Sequence, residues 1–256
     1  MGDRSPQLKK RRLDALIVER GLAVSRERAR AVILAGQVRV DGQVQTKAGT
    51  PVSSTATVEL VTADHPYVSR GGLKLAHALD AFQIDPSRRI ALDIGASTGG
   101  FTDVLLRRGA SCVVALDVGH GQLDWRLRND PRVIVREHVN ARRLTARDLP
   151  ADANHFSIVT IDVSFISLRQ ILPALPPVLD PGADLVVLVK PQFEAGRGQV
   201  GKGGIVRDPV VRARVVEDVA EAAIALGWTR EAGVASPITG MEGNQEYLLH
   251  LKWPIG

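Results

Sequence analysis

The stretch Ile90-Ala-Leu-Asp-Ile-Gly-Ala-Ser-Thr-Gly-Gly-Phe101 decides the fold of this chain. An apolar run that ends near Asp93 and continues into a glycine-rich turn predicts a buried strand followed by a helix. Glycine lets the backbone turn sharply and approach a ligand closely. In α/β sheets, ligands bind outside the carboxyl ends of the strands. The stretch therefore predicts a binding loop at that edge of a sheet.

The spacing of the glycines separates two kinds of nucleotide-binding loop. The dinucleotide fingerprint requires three glycines in the pattern Gly-x-Gly-x-x-Gly. If Gly95 is the first of them, Ser97 stands where the second glycine should be and Gly100 stands at the third. This departure disfavours an NAD site. An acid just before the turn resembles instead motif I of methyltransferases. Asp117, 24 residues after Asp93, ends the next apolar run, where it can accept hydrogen bonds from ribose hydroxyls.

Strand-like and helix-like runs alternate on both sides of this stretch. Several of the strand candidates are continuous apolar runs, as in a sheet covered on both faces. We predict seven strands, at 90–94, 113–118, 132–135, 158–163, 185–190, 229–235 and 247–252. Helices are predicted at 100–108, 121–128, 167–178 and 209–226. This order predicts an α/β fold with a Rossmann-like, seven-stranded and mostly parallel sheet.

A smaller α+β module precedes this domain. Helical spacing over 13–17 stops at Gly21, and Ser25 can cap a second helix that stops at Gly36. Asp41-Gly42 between two alternating runs then predicts a tight β-hairpin. Two helices followed by short strands make a compact unit of about 50 residues, within the usual range for a small domain.

The excess positive charge of the chain lies in this module. Residues 1–60 contain 11 Lys and Arg against 6 Asp and Glu, whereas the remaining residues contain 22 of each, which accounts for the net charge of +5. A basic module beside a neutral domain favours binding to a polyanion, although a solvated basic tail explains the charge equally well. We predict the module at 8–61, a linker at 62–68 and the α/β domain at 69–256.

Composition excludes several classes of protein. Cys112 is the only cysteine, so a disulfide framework is excluded and no metal site is expected. The sequence has no apolar run of 18 residues or more, and its first residues lack the apolar core of a signal peptide. We therefore expect a cytoplasmic protein that does not enter a membrane. The sequence does not indicate an oligomeric state.

Four charged residues interrupt or end apolar elements of the α/β domain. Lys74 lies in a helical run rich in Leu and Ala, and Asp162 and Lys190 end strands. Glu246 opens the last strand. Taken singly, a charged residue at a strand end is more often solvated than catalytic. Together, three strand-end residues at the edge where such sheets bind ligands favour one shared site.

These four residues match, in order and context, the Lys-Asp-Lys-Glu tetrad of the FtsJ-like 2'-O-ribose methyltransferases. The runs Asp162-Val-Ser-Phe-Ile-Ser167 and Val189-Lys-Pro-Gln-Phe-Glu194 are similar to those of the TlyA (haemolysin A) group, and residues 12–42 resemble the S4 RNA-binding domain. This resemblance covers nearly the whole chain. It implies methylation of a cytidine ribose in 16S or 23S ribosomal RNA, or in both, with S-adenosylmethionine as the methyl donor and ribosomal RNA or ribosomal subunits as partners.

The chemistry of this reaction suggests a role for each member of the tetrad. A ribose hydroxyl is a weak acid that must lose its proton as it attacks the methyl group. A lysine accepts that proton only when it is partly neutral, and burial or a neighbouring positive charge lowers the pKa of a lysine. We predict Lys190 as the base and Lys74 as the neighbouring charge, which also holds the hydroxyl. Asp162 orients Lys190, and Glu246 positions Lys74 or the ribose.

Two further groups of residues are predicted to contact the ligands. For the cofactor they are Asp93, Gly95, Ala96, Ser97, Thr98, Gly99, Gly100, Phe101, Asp117, Asn140 and Asp162. For RNA they are Arg11, Arg12, Arg26, Arg28, Arg30, Arg39, Arg70, Arg197 and Lys202. The last two lie in a glycine-rich stretch, 193–205, that we predict to be a mobile loop over the active site.

Three other functions are compatible with parts of the sequence. An RNA-binding assembly factor with an inactive catalytic domain would contain the same two modules. A membrane-damaging haemolysin is suggested by the second name of the group, although no long helix of strong amphipathic character supports it. An NAD-dependent enzyme is disfavoured by Ser97. Titration with S-adenosylmethionine and with NAD separates a methyltransferase from a dehydrogenase.

Overall fold

The computed structural model describes residues 10–23, 25–61, 65–240 and 243–255, apart from the side chain of Arg197. Contacts within the chain divide it into two compact units on either side of the Arg70–Gly71 peptide bond. The contacts therefore group Ser69 and Arg70 with the first unit, two residues past the boundary expected from the sequence.

The first unit combines two helices with short strands. The helices are α1 (Leu13–Glu19) and α2 (Arg26–Leu34), and the strands are β1 (Lys10–Arg12), β2 (Val38–Val40), β3 (Gln43–Gln45), β4 (Pro51–Ser53) and β5 (Val58–Leu60). The Ser25 hydroxyl accepts a hydrogen bond from the backbone N–H of Arg28, which confirms the predicted cap of α2. Gly21 and Gly36 follow the two helices with positive φ angles, as expected for helix stops.

The strands of this unit form two small sheets that share one apolar core with the helices. β2 pairs with β3 and β5, which confirms the predicted hairpin, and β1 pairs with β4. The core contains Leu13, Ile17 and Ile33, each completely buried. The β1–β4 pair was not predicted, because two three-residue strands separated by 38 residues carry no local pattern.

A seven-stranded sheet forms the centre of the second unit. Its strands are β6 (Ile90–Ile94), β7 (Cys112–Leu116), β8 (Val133–Arg136), β9 (Phe156–Ile161), β10 (Leu179–Val189), β11 (Thr229–Ala235) and β12 (Tyr247–Lys252). They lie in the order β11-β12-β10-β9-β6-β7-β8. The strands from β6 to β10 pair in parallel, and β12 is antiparallel to both of its neighbours. The predicted seven-stranded, mostly parallel sheet is confirmed.

Helices connect these strands. They are α3 (Gly71–Phe82), α4 (Gly100–Arg107), α5 (Trp125–Arg128), α6 (Pro191–Glu194) and α7 (Pro209–Ile224). Asp208 caps α7 through the N–H of Val210, and Pro209 occupies the first helical position, which needs no N–H donor. None of the helices in the described ranges is long and apolar enough to cross a membrane.

Two of the predicted helices are wrong in extent. The segment 167–178 forms three short 3-10 turns instead of one α-helix. Pro173, Pro176 and Pro177 remove backbone N–H donors and clash with a continuous helix. The helix predicted at 121–128 begins only at Trp125, because the Asp124 side chain accepts a hydrogen bond from the N–H of Arg126 and so caps the helix there.

The order of the strands determines where a ligand can bind. From β6 the chain moves outward to β7 and β8, and it then returns to the other side of β6 to form β9. Such a reversal opens a crevice at the carboxyl ends of the two central strands. The N–H of Asp162 donates to the carbonyl of Ile94 over 2.9 Å, so the segments that leave β6 and β9 lie side by side at this crevice.

Candidate active site

The glycine turn after β6 is held against both neighbouring strands. The N–H groups of Gly95 and Ala96 donate to the carbonyl of Leu116 at 2.8 and 3.1 Å. Gly95 has a φ of 83°, and a Cβ atom there would overlap the carbonyl oxygen of Asp162. The turn therefore requires glycine at this position both for its backbone angle and for its close approach to the segment after β9.

Asp117 lies beside this turn, directly after β7. One of its carboxylate oxygens accepts a hydrogen bond from the N–H of Ser97 at 2.8 Å, and the other accepts from the N–H of Gly119 at 2.6 Å. The Ser97 hydroxyl donates to the side chain of Gln122 at 3.1 Å. The carboxyl ends of β6 and β7 thus bring a carboxylate and a tightly turned backbone together. This donor and acceptor set fits a ligand that carries a ribose.

Asp93 is completely buried beneath the turn. Its two oxygens accept hydrogen bonds from the hydroxyls of Thr102 at 2.6 Å and Thr160 at 2.9 Å. Burial raises the pKa of Asp93 to about 6, although both hydroxyls favour the charged form. Because both oxygens contact neighbouring side chains, Asp93 connects β6 to α4 and β9. These threonine contacts were not predicted from the sequence.

The other residues predicted for the cofactor occupy different positions around the turn. Ala96, Thr98, Gly99, Gly100 and Phe101 are buried in the turn or at the start of α4. Asn140 is exposed beyond β8, where its side chain accepts a hydrogen bond from the N–H of Arg142.

The four charged residues of the predicted tetrad form two ion pairs in the second unit. Lys74 on α3 donates to Glu246 over 2.5 Å, and the Nζ atom of Lys190 lies 2.5 Å from Oδ1 of Asp162. Both lysine side chains are 11% exposed. The predicted pairing of Asp162 with Lys190 and of Glu246 with Lys74 is thus present in the structure.

The electrostatics of Asp162 connect the two pairs. Burial alone would raise the pKa of Asp162, but the positive charges of Lys190 and then Lys74 outweigh it and hold the pKa below its ordinary value. Asp162 is therefore an ionised carboxylate close to both lysines. One carboxylate beside two lysines can fix the orientation of one amine and keep the other close to a substrate.

An exposed aromatic residue lies next to the second ion pair. The Phe165 side chain is 91% exposed, and its backbone has a φ of 64°, which is unfavourable for a bulky residue. Its ring centroid lies 5.0 Å from that of Phe193. Strained backbone and exposed aromatic surface at a ligand crevice indicate a functional position. Phe165 belongs to the family motif at 162–167, but no role for it was predicted from the sequence.

Glu194 joins the segments that carry these groups. Its buried carboxylate accepts hydrogen bonds from the Ser167 hydroxyl at 2.5 Å and from the N–H of Leu168 at 2.6 Å. Glu194 lies on α6, which begins directly after Lys190, whereas Ser167 and Leu168 follow Phe165 by a few residues. The contact fastens the loop after β9 to the loop after β10. Sequence reasoning missed this role.

The glycine-rich stretch 193–205 contains more local structure than expected for an open loop. It includes the last two residues of α6 and a 3-10 turn at Arg197–Gln199, and the side chain of Asn244 binds the carbonyl of Gly204 and the neighbouring N–H of Val206. Lys202 is exposed, and the side chain of Arg197 lies outside the described part of the chain. Mobility of this stretch stays a prediction.

In the first unit, three of the predicted RNA-binding arginines converge on one carboxylate. Asp14 is completely buried, and Arg12, Arg26 and Arg30 approach it at 3.0, 3.0 and 3.4 Å. The hydrogen bond from Arg12 contributes most to a pKa of Asp14 far below its ordinary value. Each arginine side chain is still at least 50% exposed, so the cluster presents a net positive charge at the surface.

The remaining arginines predicted to bind RNA have mixed environments in this unit. Arg11 forms an exposed ion pair with Glu19 at 3.2 Å, and Arg39 is exposed on β2. Arg28 and Arg70 are half-buried.

Comparison with known proteins agrees with both units. The profile of the FtsJ-like methyltransferases matches residues 67–253, and that of the S4 domain matches residues 11–58. A Mycobacterium tuberculosis protein named 16S/23S rRNA (cytidine-2'-O)-methyltransferase TlyA is 53% identical, covering 94% of this chain and 89% of its own length. Hemolysin A of Brachyspira hyodysenteriae is 43% identical, covering 93% and 98% of the two chains.

A solved structure shows the same architecture. A Streptococcus thermophilus protein is 44% identical and superimposes with a TM-score of 0.74, covering 96% of this chain and 90% of its own. The chain therefore belongs to the TlyA (hemolysin A) family of FtsJ-like methyltransferases, with an S4 domain before its methyltransferase domain.

Proposed function

We propose that this chain transfers a methyl group from S-adenosylmethionine to the 2'-hydroxyl of a cytidine ribose in 16S ribosomal RNA, 23S ribosomal RNA or both. The observation that carries this proposal is the arrangement of two lysine–carboxylate pairs, one buried and one half-buried, in the domain whose glycine turn lies at the reversal of strand order. The name of the 53% identical Mycobacterium tuberculosis relative supports the same substrate. Because that substrate is ribosomal, we place the activity in the cytoplasm.

The turn between β6 and α4 supports the cofactor. Its backbone and the Asp117 carboxylate would hold the nucleoside part, with Asp117 accepting hydrogen bonds from ribose hydroxyls. In the described structure those oxygens accept from backbone N–H groups, and a carboxylate has enough lone pairs to accept further bonds. Bound there, S-adenosylmethionine would supply a methyl group on a positively charged sulfur.

Lys190 acts as the general base in this proposal. Its neutral amine takes the proton of the ribose 2'-hydroxyl as the hydroxyl oxygen forms its bond to carbon, so that the oxygen never carries a full negative charge. Asp162 holds the amine in place from 2.5 Å. Lys74, fixed by Glu246, provides a second positive group for the hydroxyl oxygen or an adjacent phosphate.

Features outside the tetrad support an RNA substrate. The exposed ring of Phe165 offers a face on which an unpaired nucleobase can stack, which is a common way for proteins to hold single-stranded RNA. In the S4 unit, the half-exposed guanidinium groups around Asp14 suit phosphate oxygens. Both observations favour RNA over a small molecule.

The proposal is tested with the full-length protein in two assays. Calorimetry should show binding of S-adenosylmethionine but not of NAD, and labelled methyl should pass to small or large ribosomal subunits. The Lys190→Ala protein should bind the cofactor with nearly unchanged affinity and transfer no methyl group. Cofactor binding without transfer to any ribosomal particle would favour an inactive assembly factor. Transfer at the normal rate by Lys190→Ala would show that the assignment of the base is wrong.

A further inference from the structure

A second polar group, besides Asp162, contacts the amine of Lys190. The Nζ atom of Lys190 donates a hydrogen bond to the hydroxyl of Ser164 at 3.0 Å, in addition to its ion pair with Asp162 at 2.5 Å. Ser164 is exposed and lies two residues after Asp162, in the loop that follows β9. It is not one of the four charged residues considered so far.

The valence of nitrogen gives this contact a consequence for the reaction. A neutral lysine amine has two N–H bonds and one lone pair, arranged around nitrogen together with the Cε atom. One acceptor leaves the amine free to rotate about the Cε–Nζ bond, so the lone pair has no fixed direction. Two acceptors engage both N–H bonds, and the lone pair is then left at the one remaining tetrahedral position.

The loop that carries Ser164 is held by contacts of residues that follow it. Glu194 accepts hydrogen bonds from Ser167 and Leu168, three and four residues after Ser164. Glu194 also belongs to the helix that starts directly after Lys190. The loop that carries the hydroxyl and the segment that carries the amine are therefore fastened to each other.

We propose that Ser164 is a positioning residue, whose hydroxyl acts with Asp162 to direct the lone pair of Lys190 at the ribose hydroxyl. This inference rests on the proposed function. In the transfer step the O–H bond of the ribose breaks, its proton forms the third N–H bond of Lys190, and an oxygen electron pair forms the bond to the methyl carbon. The carbon–sulfur bond to the methyl donor breaks at the same time, and its electron pair stays on the sulfur. The other two N–H bonds stay on Asp162 and Ser164 throughout, so the amine does not need to reorient.

Kinetics of Ser164→Ala test the proposal, because an exposed hydroxyl can be removed without opening a cavity. We expect the single-turnover rate at saturating RNA and cofactor to fall about 10- to 100-fold, the effect of losing one hydrogen bond to a charged or reacting group. Cofactor affinity and the KM for RNA should stay unchanged. The rate should fall by the same factor at all pH values, because the variant loses the direction of the Lys190 lone pair and does not lose an ionisable group. Ser164→Thr, which keeps a hydroxyl, should recover most of the rate.

A matched control removes a serine hydroxyl elsewhere in the same unit. Ser111 is exposed and donates to the backbone carbonyl of Arg89, at the amino-terminal end of β7 and away from the crevice. Ser111→Ala should transfer methyl at the wild-type rate. An equal loss of rate in both variants would contradict a specific role for Ser164.

A second measurement does not depend on activity. In protein labelled with ¹³C-lysine, the signals of Lys190 are assigned by their loss in Lys190→Arg. Its two Cε protons should give two separate signals when the amine is held in one orientation. In Ser164→Ala the difference between their chemical shifts should become smaller.

The outcomes separate this inference from the proposed function. A wild-type rate in Ser164→Ala would overturn it, as would a raised KM for RNA at an unchanged rate, which would make Ser164 a substrate contact. If the wild-type protein transfers no methyl group, the proposed function fails. In that case the lysine signals still decide whether Ser164 holds Lys190. Identical Cε proton signals in wild type and Ser164→Ala would overturn the inference.

Discussion

Each buried charge of the candidate site lies against a group of opposite charge or a hydroxyl. Asp162 contacts Lys190, Glu246 contacts Lys74, and Asp93 contacts two threonine hydroxyls. Charged groups out of water are tolerated when they are paired in this way. Asp93 differs from the others because its hydrogen-bond partners among the described residues are uncharged hydroxyls, and burial raises its pKa to about 6.

This difference predicts a pH dependence for stability. In the unfolded chain an aspartate ionises near pH 4. Between that pH and about 6 the folded protein keeps the Asp93 proton and the unfolded chain loses it, so stability falls as the pH rises. Asp93→Asn removes this loss and can keep both threonine contacts. The free energy of unfolding is measured by denaturant titration for both proteins at pH 4.5 and pH 7. The value for the variant minus that for wild type should be larger at pH 7. An equal difference at both pH values would contradict the raised pKa.

Phe165 gives a prediction for substrate binding. Stacking of one base on an aromatic side chain contributes about 1–3 kcal/mol. Phe165→Ala should therefore raise the KM for RNA by roughly 5-fold to 150-fold, while cofactor affinity and thermal stability stay near wild type, because the ring is 91% exposed. Phe165→Trp keeps a stacking surface and serves as the control. A KM that does not change in Phe165→Ala would exclude a base contact there.

Residues of the site differ in how far the sequence could predict them. The tetrad was predictable because each member interrupts or ends an apolar run. The hydroxyl partners of Asp93 were not, since Thr160 lies 67 residues away and only the pairing of β6 with β9 brings it close. The same holds for Asp14, whose arginine partners come from two different elements.

At the scale of elements, the glycine turn combines a positive φ with a close contact between two segments. The sequence predicted this turn and the strands and helix that it joins, because apolar runs and glycines are local signals. It did not predict the 3-10 turns between β9 and β10. There the apolar spacing resembled a helix, and the prolines determined the outcome.

Gly95→Ala tests the turn. The alanine would have to adopt a φ near 83°, and its methyl group would overlap the carbonyl of Asp162. We expect lower thermal stability and a strong loss of cofactor affinity in calorimetry. Gly21→Ala is a suitable control, because Gly21 also has a positive φ but its added methyl group would meet open space. It should lose only about 1–2 kcal/mol of stability and bind the cofactor normally. Normal cofactor binding by Gly95→Ala would contradict the role of the turn.

At the scale of the whole molecule, the two units divide charge and chemistry between them. The excess positive charge lies in the first 60 residues, and the two lysine–carboxylate pairs of the candidate site lie in the methyltransferase unit. The charge count predicted this division, but it did not show that Asp14 gathers three of the arginines. A buried carboxylate under several guanidinium groups limits their side-chain motion and should reduce the entropy lost on binding phosphate.

This arrangement predicts a salt dependence of RNA binding. Each phosphate contact that is lost reduces the slope of log affinity against log salt by nearly one. The double variant Arg26→Gln/Arg30→Gln should therefore bind ribosomal RNA more weakly and with a shallower slope. A control with the same charge change, Arg107→Gln/Arg230→Gln, alters exposed arginines of the second unit. If both double variants show the same slope, the effect is one of net charge and not of the S4 cluster.

If the paired lysines direct a methyl group to a ribose hydroxyl, the methylated nucleoside identifies the reaction. Ribosomal subunits are incubated with the protein and isotope-labelled S-adenosylmethionine, and the RNA is then digested to nucleosides for mass spectrometry. We expect label in 2'-O-methylcytidine, and none when Lys190→Ala replaces the wild type. Label on a base, or undiminished 2'-O-methylcytidine from the variant, would contradict it.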